Sequence, residues 1–239
     1  MLVALARAAE DCYGAPAVLV VALSAAALLL GNWREDVAKE FVGTAMLIAT
    51  TCAAGVWWAT ATTSQAWLAH GAGVILTDFL VGGPHCNPSV SLAMLALGRL
   101  GGPRQFAARV TAQLAGGVFG YRLCYGIATA LRLPHFPGPS LGYADVRAAA
   151  FDEAFATAGL CSAVVLLSFE LPTKNFYALK MPLVAAAIRL LIETFPTAGP
   201  AMNPAIGFGW EVAGRAACAV PGYAEHYICY WAASAAGAL

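Results

Sequence analysis

Charge is what this chain lacks. Only 11% of its 239 residues are Asp, Glu, Lys or Arg, the two signs balance at 13 each, and no basic run occurs. Nothing here would hold a phosphate backbone, so nucleic acid is excluded as a partner. The chain also has no Walker-type phosphate loop and no His-Glu-x-x-His, and its four His and seven Cys show no metal-ligand spacing. Neither an enzyme nor a cofactor is expected. A disulfide framework is missing too: Cys52, Cys124, Cys161 and Cys229 sit inside apolar segments and Cys86 touches an Asn-Pro pair, positions that suit small buried thiols.

What the chain has in excess is apolar residues. They make up 60% of it, and the mean hydropathy is +0.71, well beyond the roughly 45–50% of soluble domains. The composition predicts an all-α membrane protein in contact with lipid. Apolar segments run over about 16–31, 38–60, 65–83, 104–130, 148–170, 179–196 and from 224 to the end. If 38–60 starts in the cytoplasm, Arg34, Lys39, Arg99, Arg104, Arg109, Lys174 and Lys180 are cytoplasmic. Arg132, Arg147 and Arg215 are then external, as the positive-inside rule prefers. The Pro- and Gly-rich stretch 133–147 reads as an external loop. The segment 16–31 is short for a span and fits a signal-like anchor or an interfacial helix equally well. The last span, from near Tyr223, reads as cut at Leu239.

One short signature occurs twice. Asn87-Pro88 opens an apolar stretch ending at Gly98-Arg99, and Asn203-Pro204 opens another ending at Gly214-Arg215, with identical offsets. Asn is a preferred N-cap, Pro suits the first helical position, and Gly then Arg is a typical helix exit. About ten residues at roughly 1.5 Å each reach about 15 Å, half of a hydrocarbon core. Each stretch is therefore predicted to be a half-helix, the pair meeting N-terminus to N-terminus. Glu40-x-x-x-Thr44 and Glu153-x-x-x-Thr157 repeat about fifty residues ahead of each Asn-Pro. Three spans per half is an odd number, so the second half inserts upside down and an inverted repeat results. The expected organisation is an N-terminal extension, 1–37, followed by a channel domain, 38–239, with repeats over about 38–130 and 148–239.

The order Glu40-x-x-x-Thr44, His85-Cys-Asn-Pro-Ser89, Gln113-Leu-Ala-Gly-Gly117, Glu153-x-x-x-Thr157, Ala201-Met-Asn-Pro-Ala205 and His226-Tyr-Ile-Cys-Tyr230 resembles the major intrinsic proteins, the aquaporins and aquaglyceroporins. The resemblance covers roughly residues 38–239. Three departures make it most similar to the unorthodox, or superaquaporin, subfamily: Ser89 stands where Ala is usual, Ile206 where most members have Arg, and an extra apolar segment comes first. The resemblance implies a passive channel for water and small neutral solutes such as glycerol and hydrogen peroxide, and a homotetramer with a pore in each subunit. It also implies an intracellular membrane such as the endoplasmic reticulum, with the plasma membrane as the alternative. The residues matching the family's selectivity filter are Trp67, Leu191, Pro200 and Ile206, an apolar set with no fixed cation.

Each candidate residue has a plainer reading beside the functional one. Asn87 and Asn203, with Pro88, Ser89, Pro204 and Ala205 in the two motifs, are expected to line the pore; the plainer reading is a helix cap. Glu40 and Glu153 are read as carboxylates bracing the loops, the alternative being a proton relay. Asp78 lies eleven residues after Trp67, three turns to within about 20°, so both share a helix face. Arg189 is expected to pair with Glu193 one turn on, or to neutralise Asp78. His70 and His85 read as hydrogen-bonded structural residues or as a gate. Two rival functions use the same residues: an ion-coupled carrier built on Asp78, Arg189 and Glu193, and a non-conducting scaffold closed by Trp67.

Overall fold

The computed structural model describes residues 34–52, 62–133, 138–141, 145–197, 199–214 and 220–239. The predicted segment 16–31, Arg215 and parts of the 133–147 loop lie outside them. Helix α1 (Arg34–Leu47) passes into a π-helical turn, Ile48–Cys52; α2 covers Thr63–Val81, α3 Pro88–Ala96 and α4 Pro103–Ala130. In the second half α5 (Val146–Val165) again ends in a π-helical turn, Leu166–Glu170, followed by α6 (Tyr177–Thr194) and α7 (Pro204–Gly209) with its π-helical continuation Trp210–Gly214. The last span is α8 (Ala224–Tyr227), a π-helical stretch Ile228–Ala233 and α9 (Ser234–Ala238). Every regular element among the described residues is helical, as the composition and the repeat predict.

Local chemistry sets the helix ends. Thr62 caps α2 through a reciprocal box: the Gln65 N–H donates to Thr62 Oγ1 at 3.2 Å, and the Thr62 N–H donates to Gln65 Oε1 at 3.1 Å. Gly82, at φ 82°, closes the same helix in the left-handed region. Asp145 caps α5 by accepting from the Arg147 N–H at 3.0 Å.

The packing has an approximate two-fold pattern. In the first half α1 lies along α4, and in the second α5 lies along α9; the two middle spans, α2 and α6, lie against each other. Each half-helix docks on the third span of the opposite half, α7 on α4 and α3 on α9, and the half-helices also touch each other. Glycine makes these approaches possible. A Cβ on Gly116 would run into the Phe41 carbonyl, and one on Gly237 would run into the Ala154 carbonyl, so the same residue type closes corresponding seams in both halves. A Cβ on Gly117 would come within 2.5 Å of the Ala205 carbonyl oxygen, which ties the second half-helix to α4.

The outward faces carry large apolar side chains. Leu68 is 73% exposed, and Phe79, Leu80, Leu131, Phe151, Phe155 and Leu190 are each more than half exposed. Val146–Glu170 is 25 residues long with a mean hydropathy of 1.6 in its most apolar stretch, of which only 28% is buried within the chain. An apolar exterior this extensive needs an apolar solvent.

Gly117→Ala should destabilise the fold by about 1–3 kcal/mol, because two backbones would have to separate. Gly222, where an added Cβ meets nothing within 4 Å, provides the matched control. Thermal unfolding in detergent should show a clear drop in midpoint for Gly117→Ala and no change for Gly222→Ala.

Candidate functional site at the junction of the half-helices

Asn87 and Asn203 cap the two half-helices in the same way. Asn87 Oδ1 accepts from the Ser89 N–H at 2.8 Å and Asn203 Oδ1 from the Ala205 N–H at 3.0 Å, with Pro88 and Pro204 at the first helical positions. Their amide groups then cross over. Asn87 Nδ2 donates to the Met202 carbonyl at 2.7 Å, and Asn203 Nδ2 donates to the Cys86 carbonyl at 2.8 Å. Each asparagine therefore joins its own half-helix to the opposite loop. Each NH₂ has two hydrogens, and this crossing uses one. Asn87 is 4% exposed and Asn203 3%.

The crossing depends on unusual backbone. Cys86 and Met202, the residues just before the asparagines, have φ of 53° and 49°, in the left-handed region that a side chain disfavours. Such residues persist only where the surroundings over-determine them. Here buried carboxylates hold the loop amides: Glu40 accepts from the His85 N–H at 3.1 Å and the Cys86 N–H at 2.9 Å, and Glu153 accepts from the Ala201 N–H at 2.9 Å.

The third span of each half supports its carboxylate. Gln113 Nε2 donates to Glu40 Oε2 at 2.8 Å, and Ser234 Oγ donates to Glu153 Oε1 at 2.7 Å. Gln113 and Ser234 each stand three residues before the glycine that closes the seam, Gly116 and Gly237. The halves differ in charge. Arg109 donates to Glu40 Oε1 at 2.7 Å and to Asp36 Oδ2 at 2.6 Å, whereas no basic side chain pairs with Glu153 among the described residues. Gln113 Nε2 also reaches Ser91 Oγ at 2.9 Å, and Ser91 Oγ meets His85 Nδ1 at 3.0 Å, so the first loop belongs to a polar network. The buried Ser89 hydroxyl has no hydrogen-bond partner among the described residues.

The remaining candidates occupy other places. Trp67, part-buried near the start of α2, donates its indole N–H to Glu193 Oε1 at 2.5 Å, and Arg189 Nη2 donates to the same oxygen at 2.9 Å. Leu191 packs over Gly159 in a cluster with Val90, Met94 and Met202. Ile206, in the first turn of α7, packs against a different cluster built on Ile48, Val118, Tyr121 and Phe208. Pro200 is buried next to Ala201. Asp78 and Trp67 both lie toward α6, but at opposite ends: Asp78 is beside the Tyr177 hydroxyl and in the field of the Lys180 charge, far along the helix from the Arg189–Glu193 pair. His70 faces Arg189.

Several of these features escaped the sequence reading. Arg109 lies one turn before Gln113 and so shares its face, a signal that periodicity could have supplied. The left-handed turns at Cys86 and Met202 leave no such trace, since neither is Gly, Asn or Asp. Glu211, 4% exposed in the π-helical turn after α7, is a buried carboxylate that the repeat did not flag. The loop Gly138-Pro-Ser140-Leu-Gly142 spells Gly-x-Ser-x-Gly. A nucleophile elbow needs a strand before the serine, however, and here Gly138 lies against the Trp210 ring and no strand precedes it among the described residues. No group of His, Cys, Asp or Glu among the described residues could hold a metal ion.

A family profile described as "Major intrinsic protein" matches residues 27–239. The chain is 29% identical over 167 residues to Aquaporin SIP1-1 of Arabidopsis thaliana, covering 70% of this chain and 67% of that protein. Its fold matches the aquaglyceroporin of Plasmodium falciparum with a TM-score of 0.68 at 20% identity, covering 85% of this chain and 91% of that one.

Replacing each bracing carboxylate by its amide should separate the halves. Glu40→Gln breaks a buried ion pair and should cost about 3–5 kcal/mol. Glu153→Gln keeps neutral hydrogen-bond partners and should cost about 1–3 kcal/mol. Folded yield and thermal midpoint in detergent report the order, and equal losses would mean that Arg109 adds nothing to the brace.

Proposed function

Because the chain belongs to the major intrinsic protein family of integral membrane channels for water or small solutes, we propose that it passes water and small neutral solutes, glycerol and hydrogen peroxide among them, in single file past the half-helix junction. The observation that carries this reading is the reciprocal crossing of Asn87 and Asn203. It commits one hydrogen of each amide and leaves the other to meet a solute oxygen. Each half-helix end adds the positive end of its dipole, about half an elementary charge, while its first N–H groups turn back onto Asn87 and Asn203. Two such ends facing each other repel cations and hydronium, while a neutral oxygen is oriented by the two donors and cannot continue a hydrogen-bonded chain through them.

The filter in this proposal consists of Trp67, Leu191, Pro200 and Ile206. An apolar residue at position 206 removes the fixed positive charge and the strong donor that Arg would bring. The relative narrowness to polar solutes then falls on Trp67, and less polar neutral molecules gain over water. Glu40 and Glu153 act as braces, holding the loops whose carbonyls receive the asparagine amides. The same proposal places the protein as a homotetramer in an intracellular membrane such as the endoplasmic reticulum, in line with its likeness to the superaquaporins.

Two measurements test the proposal. In planar bilayers the protein should carry no cation current that scales with channel density, and such a current would overturn the passive neutral reading. In liposomes normalised to folded channel count, Ile206→Arg should lower the glycerol-to-water permeability ratio about tenfold, because the new guanidinium narrows the path and binds water well. An unchanged ratio with intact folding would remove Ile206 from the pore wall.

A further inference from the structure

Trp67 owes its orientation to specific polar contacts. Its indole N–H donates to Glu193 Oε1 at 2.5 Å, across 126 residues of sequence, and Arg189 Nη2 holds that same oxygen at 2.9 Å. The guanidinium carbon of Arg189 lies 5.7 Å from the centre of the Trp67 ring, within range of a cation–π attraction. The indole is thus held at its edge by Glu193 and on its face by Arg189, both from α6.

The pair has the properties of a latch. The Glu193 side chain is 43% exposed, and alone it would sample water freely. Arg189, one turn before it on α6 and only 17% exposed, anchors the carboxylate and presents it to the indole. Glu193 is the acceptor that fixes the indole N–H, so its removal releases the ring to other rotamers.

We propose that Glu193 and Arg189 are positioning residues that fix the Trp67 ring at the filter and so set how far glycerol-sized solutes are admitted relative to water. The proposal rests on the reading that Trp67 lines the pore. A released ring opens the aperture more for a solute that must pass its edge than for a single water.

The experiment measures the glycerol-to-water permeability ratio of the full chain in liposomes, normalised to folded channel count, for Trp67→Ala, Glu193→Leu, Glu193→Gln, Trp67→Phe and the double variant Trp67→Phe/Glu193→Leu. Glu193→Leu should raise the ratio about threefold or more. Glu193→Gln keeps an acceptor oxygen and should restore most of the wild-type value. Trp67→Phe has no N–H to hold, so adding Glu193→Leu to it should change nothing further. If Trp67→Ala leaves the ratio at the wild-type value, the filter reading falls and the latch with it. If Trp67→Ala shifts the ratio while Glu193→Leu does not, or if Glu193→Leu acts equally in the Trp67→Phe background, the latch alone is overturned. Should Glu193→Leu fail to fold, Arg189→Met carries the test: it frees the carboxylate, a raised ratio supports the latch, and an unchanged one overturns it.

Discussion

The crossing of two asparagine amides onto opposite loops is the interaction on which the rest of this structure depends. A half-helix that stops inside a bundle leaves its first N–H groups without partners, and an isolated pair of such ends would repel through their aligned dipoles. Asn87 and Asn203 solve both problems with one side chain each. The oxygen satisfies the local helix, and the nitrogen bonds a carbonyl that the other loop presents through a left-handed turn. The turns at Cys86 and Met202 cost of order 1–3 kcal/mol each. That cost is offset by hydrogen bonds to buried carboxylates, which are among the stronger ones a protein makes.

The two halves reach this common junction by different electrostatics. Around the first loop, Asp36, Arg109, Glu40 and Gln113 form a charged network continuous with Ser91 and His85. Around the second, Glu153 relies on Ser234 and backbone amides, with Thr157 3.3 Å from Ser234. The backbone geometry is nevertheless shared, down to the glycine three residues after each supporting donor. The halves differ where either of two side-chain solutions can hold the same loop, and agree where only hydrogen fits the seam between backbones.

That distinction explains what could be read from the residues alone. The spans, the half-helices and their inverted relation were legible because each rests on a local rule: apolar length, an Asn-Pro start, an odd number of crossings. Glu40 and Glu153 stood out as well, since a carboxylate among apolar residues has few uses, and both accept from loop amides. The crossing itself was not, because it links residues 115 and 117 positions apart and turns on the conformation of Cys86 and Met202, whose side chains announce nothing. The sharing of Glu193 Oε1 between Trp67 and Arg189 was half visible. The i, i+4 spacing suggested the ion pair, while the indole, arriving from another helix, gave no sign. Asp78 shows the limit of a shared face, which set it in line with Trp67 but could not tell that it lies beside Tyr177 at the other end of α6.

The long sequence separation within the crossing has a consequence for biosynthesis. Asn87 finds its acceptor at Met202, 115 residues further along the chain. At about 5–20 residues per second, a ribosome needs roughly 6–23 seconds to deliver it. Throughout that interval the first half-helix exists without its partner: the Asn87 amide and the Cys86 carbonyl are unmatched, and the strained turn between them is held by Glu40 alone. Polar groups in this state are not stable against hydrocarbon, so the nascent first half must wait beside water or inside the insertion machinery.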